Sequence, residues 1–323
     1  MRTLRGLFGA FAGLLLVVSV LLTVLRSIET SSRLLSMATS FASYAVLGYA
    51  VALVILLLLV RKTQRARPMV LTGTVLASVG LLLHGWWLAP LFVGPGSGTR
   101  SDLTVMSANL QFGVGDPGTV VRTATDRHVD VLVLQEVTPT ELTKLQDYGL
   151  SQLFPHSVGK PDPSAAGTMV FSTYPLRDQA PLDVSNGGLS VTVAAPKPFR
   201  LLAVHTAQPV NQTRGWRRDL ETVRTQAADA VTAGPTLVVG DFNATRDHSG
   251  FRDILAAGLS DADDVANSGW QPTWPTPTRA WYLRPLITID HVLSSGQFAA
   301  VRTTTVPVGG TDHRSLVVQL DRL

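Results

Sequence analysis

Along the chain, apolar positions fall into two regimes that meet near residue 100. In the first they form long runs: Gly6–Leu25 (20 residues), Leu34–Val60 (27) and Pro68–Thr99 (32) hold no Asp, Glu, Lys or Arg. A helix needs roughly 20 apolar residues to cross about 30 Å of hydrocarbon, so each run is long enough to span a bilayer. A signal peptide would account for the first run alone. No small-x-small cleavage site follows Leu25, and two more runs come after it. The pattern predicts three transmembrane helices. His84, in the third run, reads as a polar residue near the interface rather than a ligand. Trp86 and Trp87 lie toward the outer end of that run, where indoles favour the headgroup region.

Beyond residue 100 the runs shorten and end in polar residues. Leu103–Leu110, Val129–Val137, Thr168–Thr173, Leu189–Ala194, Phe199–His205, Thr236–Gly240, Ile287–Leu293 and Ser315–Leu320 read as strands rich in Val, Leu and Thr. Trp216, Leu220, Val223, Ala227 and Val231 fall at helical spacing, with Thr213 as the cap, and shorter helices are predicted at 118–128, 138–148 and 249–257. Strands outnumber helices and no repeat is visible, which predicts one α/β domain on a layered sheet core. The expected division is a membrane domain at 1–93, a Gly/Ser-rich linker at 94–102 and this α/β domain at 103–323.

Charge sharpens that division. The whole chain carries 27 Lys+Arg against 23 Asp+Glu, a net +4, and its pI near 9.7 would suggest a nucleic-acid binder. Residues 1–100 hold nine of the basic residues and one acidic residue, Glu29; residues 101–323 hold 18 and 22, a net −4. The basic excess therefore belongs to the apolar third. Arg61-Lys62-Thr63-Gln64-Arg65-Ala66-Arg67 places four positive charges between the second and third runs, against Arg26, Arg33 and Glu29 between the first two. By the positive-inside rule, the amino terminus and the 61–67 loop face the cytoplasm, and everything after residue 100 lies outside. This describes a multi-pass protein of the cell membrane. The chain has no cysteine, which excludes a disulfide scaffold, a cysteine nucleophile and a zinc–thiolate site.

The strand ends carry the candidate chemistry. Val105-Met106-Ser107-Ala108-Asn109 ends in an amide, Leu134-Gln135-Glu136 in a carboxylate and Ala203-Val204-His205 in an imidazole. Gly240-Asp241-Phe242-Asn243 presents a carboxylate and an amide two residues apart, on one face of an extended segment. Asp290-His291 and Asp312-His313 each give an Asp-His pair. A single polar strand end is ordinary. Six in order supply hard oxygen ligands for Mg2+ or Mn2+ and imidazoles able to donate to phosphate.

The series SANLQFG, LVLQEV, HTAQP, GDFNAT, IDHV and TDHRSLVV resembles the endonuclease/exonuclease/phosphatase superfamily, the DNase I-like fold, over essentially all of 103–320. The resemblance implies a four-layer α/β/β/α sandwich with the site at one edge of two packed sheets. It implies that Glu136 is the principal ligand of a divalent metal, with Asn109 beside it and Asp312 adding carboxylate charge nearby. His205 would donate to the scissile phosphate, Asp241 would orient or deprotonate the attacking water, and Asn243 would hold Asp241 and the phosphate oxygens. His313 would contact the phosphate with its ring oriented by Asp290, while His291 reads as structural. No residue suggests a covalent intermediate, so the expected chemistry is hydrolysis of a phosphodiester or monoester by direct attack of water.

The superfamily includes nucleases, inositol-phosphate phosphatases and lipid-modifying enzymes, so fold does not choose the substrate. A duplex nuclease gains from a basic surface, and this domain nets −4. Arg214, Arg217 and Arg218 read as a solvated helix face or as an anionic-headgroup contact. Trp270, Trp274, Trp281 and Tyr282, in the Pro-rich stretch 269–285, read as core or rim packing or as a membrane-facing lip. The short linker, the outward orientation and the lack of basic excess favour membrane lipids: a phospholipid, glycolipid or lipid-linked phosphate ester. The arrangement is also similar to membrane-associated members grouped with GPI-lipid remodelling proteins. The alternative is an extracellular nuclease acting on DNA or RNA.

Overall fold

The computed structural model describes residues 2–60, 67–94, 100–276 and 284–323. The basic loop 61–66, the linker residues 95–99, and Trp281 and Tyr282 lie outside the described residues. The chain divides into two compact units, Met1–Pro90 with Asp247–Ser249, and Leu91–Arg246 with Gly250–Leu323.

The first unit is helical: α1 (Arg2–Ser27), α2 (Arg33–Thr39), α3 (Ala45–Val60) and α4 (Arg67–Leu88). Three helices, Thr3–Ser27, Ala42–Val60 and Arg67–Leu91, are long and apolar enough to cross a membrane. The second apolar run is not one helix. It breaks between Thr39 and Ala42, where Ser36, Thr39, Ser40 and Ser43 cluster and the Thr39 hydroxyl donates to the Leu35 carbonyl (2.9 Å). The third α-helix stops at Leu88, ahead of Pro90, with a 3-10 turn over Ala89–Leu91.

The burial pattern of this unit inverts that of a water-soluble bundle. Leu14, Leu21, Leu58, Val75 and Leu82 face outward, while Ser19, Tyr49 and His84 are buried alongside Ala12, Leu16, Ala52, Leu56 and Ala77. Inside, the Thr23 hydroxyl lies 2.9 Å from the Tyr49 hydroxyl and 2.9 Å from His84 Nε2. His84 is thus turned inward within the helical unit, where its partners satisfy the ring. A Cβ at Gly80 would collide with the Tyr49 ring, so glycine permits that approach. The segment 247–249 belongs to this unit, with Arg26 Nε 2.9 Å from one Asp247 oxygen and the Ser43 N–H donating to the other (2.8 Å).

The second unit begins with β1 (Leu103–Asn109), α5 (Pro117–Asp126), β2 (Val131–Gln135), α6 (Pro139–Asp147), α7 (Leu150–Leu153), β3 (His156–Gly159), β4 (Met169–Ser172), β5 (Leu176–Pro181), β6 (Gly188–Val193) and β7 (Phe199–His205). It continues with α8 (Pro209–Ala233), β8 (Thr236–Asp241), α9 (Ser249–Leu255), β9 (Leu259–Asp261), α10 (Ala262–Val265), β10 (Asp290–Ser295), β11 (Phe298–Pro307) and β12 (Arg314–Arg322). The strands make two six-stranded sheets, ordered β11-β12-β1-β2-β4-β3 and β5-β6-β7-β8-β10-β9. β1–β2 and β7–β8 pair in parallel and the remaining neighbours antiparallel.

Alternation along the strands builds four layers. Val105, Val131 and Val133 of one sheet meet Leu201, Leu237 and Val239 of the other in a shared core. The next residues along, Met106, Leu132 and Leu134, pack under Val120, Val121 and Leu145 of α5 and α6. Leu202, Val204 and Val238 pack against Trp216, Leu220 and Val223 of α8 and Ile254 of α9. The result is the expected α/β/β/α sandwich. Helix starts are fixed locally: Asp116 accepts from Thr119 N (3.0 Å) before Pro117, and Thr138 from Glu141 N (3.2 Å) before Pro139. α8 begins at Pro209, four residues before the expected Thr213 cap. Gln212 is non-helical there (φ −140°, ψ 53°), and the Thr213 hydroxyl donates to the Pro209 carbonyl (2.7 Å), so Thr213 marks a kink. β10 starts at Asp290 instead of Ile287, because the Thr273 hydroxyl accepts from the Ile289 and Asp290 N–H groups (3.1 and 3.3 Å).

Candidate active site

Strand register assembles the site. In β7, β8 and β10, His205 pairs with Asp241 and Asp241 with Asp290, so three functional side chains stand in one row across adjacent strands. In the facing sheet, Asn109 ends β1 opposite Gln135, and Glu136 follows at once. Gly240 is required by the row: a Cβ there would come within 2.0 Å of the Val204 carbonyl oxygen. Two functional residues, Glu136 (φ 58°) and Asn243 (φ 47°), sit in the left-handed region, a local cost that aims their side chains back over the strand ends.

Asn109 Nδ2 donates to Glu136 Oε1 (3.2 Å) and Asp241 Oδ2 (3.0 Å), while Asn109 Oδ1 accepts from Gln111 N (2.9 Å). Phe112 N donates to Glu136 Oε2 (2.8 Å). The Asn243 backbone N–H donates to Asp241 Oδ1 (2.8 Å), and its side-chain amide donates to the Thr206 carbonyl (3.1 Å) and approaches Asp241 Oδ2 (3.4 Å). His313 Nδ1 lies 2.9 Å from Asp290 Oδ2, and its Nε2 is 3.8 Å from both Asp241 Oδ2 and Asp312 Oδ1. His205 Nδ1 donates to the Ala165 carbonyl (3.0 Å), leaving Nε2 3.7 Å from Glu136 Oε1 and 3.6 Å from Asp241 Oδ2. In its neutral form that Nε2 carries a lone pair, so donation to phosphate requires the imidazolium.

Burial sets the charges. It pushes His205 down to about 4, with the His313 cation adding to the effect. Burial would also lower His313, but the Asp290 carboxylate on Nδ1, backed by Asp241 and Asp312, outweighs it and holds that ring up to about 10. Burial and then the neighbouring Asp290 charge push Asp241 up to about 7, and burial raises Glu136. One imidazole is thus held neutral and the other cationic, a division of labour seen where environment assigns acid and base roles.

The donor set fits a divalent cation. Asp241, Asp290 and His313 offer ligand atoms within 4.8 Å of one another, the imidazole only when it is unprotonated, so that with His313 cationic the two carboxylates are what remains for a cation. Asp290 Oδ1, fully buried, has no hydrogen-bond partner among the described residues. Buried carboxylates raised by their own desolvation are what a hard cation relieves. Asn109 meets Glu136 through its donor end. Its oxygen can turn toward a cation only if the amide flips and gives up Gln111 N.

Residue identity alone did not point to several supports. The Asp312 backbone N–H donates to Gln111 Oε1 (3.0 Å), and Trp274 Nε1 donates to Asp312 Oδ2 (3.0 Å), so this tryptophan of the Pro-rich stretch holds a site carboxylate. Thr311 Oγ1 donates to the Asn109 carbonyl (2.8 Å). Gln111 lies inside the SANLQFG run, and its position there was the available signal. The Ala165 carbonyl left none. His291 stands outside the site: Nδ1 is 2.8 Å from Asp261 Oδ2 and Nε2 3.0 Å from the Ala244 carbonyl, so both nitrogens donate. Burial opposes that charge, but Asp261 outweighs it and raises the ring. His291→Gln is expected to cost about 3 kcal/mol by leaving Asp261 uncompensated, measurable as an earlier urea midpoint for loss of the β-sheet signal. Arg218 reaches Asp219 (3.5 Å) and Asp183 (4.0 Å) from a largely exposed position, as a solvated helix face does.

A profile of the Endonuclease/Exonuclease/phosphatase family matches residues 106–313, from within β1 to His313. The chain belongs to this family. Solved structures agree on the fold. A functionally unknown conserved protein from Enterococcus faecalis V583 is 16% identical, with a TM-score of 0.55 over 68% of this chain and 100% of that one. A mannosyl-6-phosphatase from Bacteroides thetaiotaomicron is 15% identical, with a TM-score of 0.54 over 68% and 100%. D. rerio TDP2 complexed with a single-strand DNA product is 15% identical, with a TM-score of 0.56 over 68% and 98%. Among curated protein sequences nothing matches. Members of the endonuclease/exonuclease/phosphatase family are metal-dependent phosphoesterases, and the second unit of this chain is a phosphoesterase domain of that family.

Proposed function

We propose that the protein is a membrane-anchored hydrolase, dependent on Mg2+ or Mn2+, that cleaves a phosphate ester of a phospholipid, glycolipid or lipid-linked headgroup at the outer membrane face. The observation that carries the chemistry is the buried row His205–Asp241–Asp290 with His313 against it, a carboxylate and a cationic imidazole 3.8 Å apart beside Glu136. The lipid preference is supported by the three apolar helices and by the net −4 of residues 101–323.

Glu136 is the principal metal ligand in this reading, with Asn109 and Asp312 beside it. A bound cation supplies Lewis-acid stabilisation of the charge that builds on the phosphoryl oxygens. Asp241, held at Oδ1 by Asn243 N, accepts a hydrogen bond from the attacking water and lines it up with the leaving group. His313, fixed by Asp290, donates from Nε2 to a phosphoryl oxygen. Asn243 keeps Asp241 from turning away, and His205 closes the row behind it. Water is the nucleophile in this reading; Thr206, which donates to the Phe242 carbonyl (2.6 Å), and Thr311, which donates to that of Asn109, hold backbone at the site.

The test is an assay of the full-length protein against phospholipid vesicles, soluble phosphate esters and supercoiled plasmid. EDTA is expected to lower turnover by at least about a hundredfold, with recovery on adding Mg2+ or Mn2+. Plasmid nicking without lipid turnover would replace the lipid reading with the nuclease one.

A further inference from the structure

The loop that follows β1 is pinned from several sides yet displays apolar side chains to solvent. Gln111 (φ 45°), Phe112 (φ 54°) and Gly113 (φ 71°) are three consecutive residues in the left-handed region. The loop is held by Phe112 N on Glu136, by the Val114 and Gly115 N–H groups on the Leu110 carbonyl (3.0 Å each) and by Asp116 N on the Gly309 carbonyl (2.6 Å). So constrained a backbone leaves Phe112 and Val114 little freedom to fold inward, and they stay 52% and 58% exposed. The loop is also the rim of the cleft, since Phe112 touches Glu136 through its backbone and Gln111 touches the Asp312 N–H.

Within the same unit, the rim is linked to Leu91, at the C-terminal boundary of the third apolar helix. Gly269 N donates to the carbonyl of Leu91, the last residue of that helix (2.8 Å), and Trp274 donates to Asp312 at the cleft. Residues 269 to 274 span at most about 18 Å even fully extended. Phe92 and Val93, which follow Leu91, are exposed as well. Within the second unit, Leu91 and the Asp312 edge of the cleft are therefore a short distance apart along the chain 269–274. With a net −4, residues 101–323 gain no long-range attraction to an anionic surface, so any hold of this unit itself on a bilayer comes from apolar contact.

We propose that Phe112 and Val114 form a lip that inserts into the interfacial layer of a phospholipid bilayer and opens the cleft onto it. The aromatic ring and the valine enter the boundary between headgroups and acyl chains, which brings phosphate esters at headgroup depth level with His313 and Asp241. Insertion stands by itself; only its catalytic consequence rests on the lipid reading above.

The chain has no cysteine, so single sites can be labelled without other changes. Full-length Val114→Cys and Asp183→Cys proteins, each carrying a nitroxide, are reconstituted into phosphatidylcholine–phosphatidylglycerol vesicles. Asp183, 92% exposed on its side chain, serves as the aqueous reference. The Val114→Cys label is expected to relax with dissolved oxygen and resist a water-soluble nickel chelate, with the reverse at Asp183→Cys. Equal access of the chelate to both labels would overturn the proposal whatever the enzyme hydrolyses. Val114→Ser is expected to raise the apparent KM on vesicle phospholipid about fivefold, with kcat on bis(p-nitrophenyl) phosphate unchanged. An equal loss on both substrates would mean that the loop serves the site alone and not the bilayer. An inserted label with no phospholipid turnover would keep the lip and reject the lipid substrate.

Discussion

Asp241→Asn is expected to lower kcat by about three orders of magnitude or more while the sandwich stays folded. The substitution is nearly isosteric. Asn243 N can still donate to the retained oxygen, and the strand register through His205 and Asp290 does not depend on charge. What is lost is the carboxylate that aligns and accepts from the attacking water. Stability should move the other way. Asp241 is pushed up to about 7 by burial and by Asp290, so its charged form is disfavoured in the folded state. The raised folded-state value means that the wild type loses stability as pH rises from about 4 to about 7, while the variant does not. In EDTA, the unfolding midpoint of Asp241→Asn should therefore match the wild type near pH 4 and exceed it at pH 8. Near-wild-type turnover in the variant, with circular dichroism unchanged, would remove Asp241 from the mechanism.

The strands legible from sequence and those that were not divide along one physical line. The eight expected from apolar runs are β1, β2, β4, β6, β7, β8, β10 and β12, the interior strands of the two sheets. The four without a sequence signal are β3, β5, β9 and β11, the edges. An interior strand is covered on both faces and reads as a continuous apolar run, as β2 and β8 do. An edge strand is partly open: Leu176–Pro181 in β5 is almost wholly exposed, and Phe298–Pro307 in β11 carries Arg302 and a threonine run. For the same reason the site was legible at its side chains and not at its supports. Asn109, Glu136, His205 and Asp241 stand where interior strands end, and a polar residue ending an apolar run is visible in sequence; Asp290 opens β10 inside the apolar stretch 287–293. The Ala165 carbonyl on His205, the Phe112 N–H on Glu136 and the Trp274 indole on Asp312 come from loops. Their chain positions are set only by tertiary folding. The helical unit shows the complementary limit. Run length alone indicated three spans, but not that Thr23, Tyr49 and His84 turn inward on one another.

Asp290→Asn is expected to lower kcat by about two to four orders of magnitude and, more tellingly, to move the alkaline limb of the pH–rate profile. Asp290 holds His313 Nδ1, so in this mechanism it acts through the ring it orients. Its carboxylate is the main reason that His313 stands at about 10 despite its burial. A mechanism that needs the protonated ring loses activity as pH rises through that value. With the carboxylate neutralised, burial pulls the ring down, and the limb should fall at a pH lower by about one to three units. His313→Ala removes the donor altogether and should show a loss at least as large with no limb assignable to an imidazole. The pair of variants separates orientation from charge. If Asp290→Asn slows turnover but leaves the alkaline limb in place, the limb belongs to another group and His313 acts neutral. If kcat and the limb fall together, the Asp290–His313 contact sets both the aim of the donor and its proton.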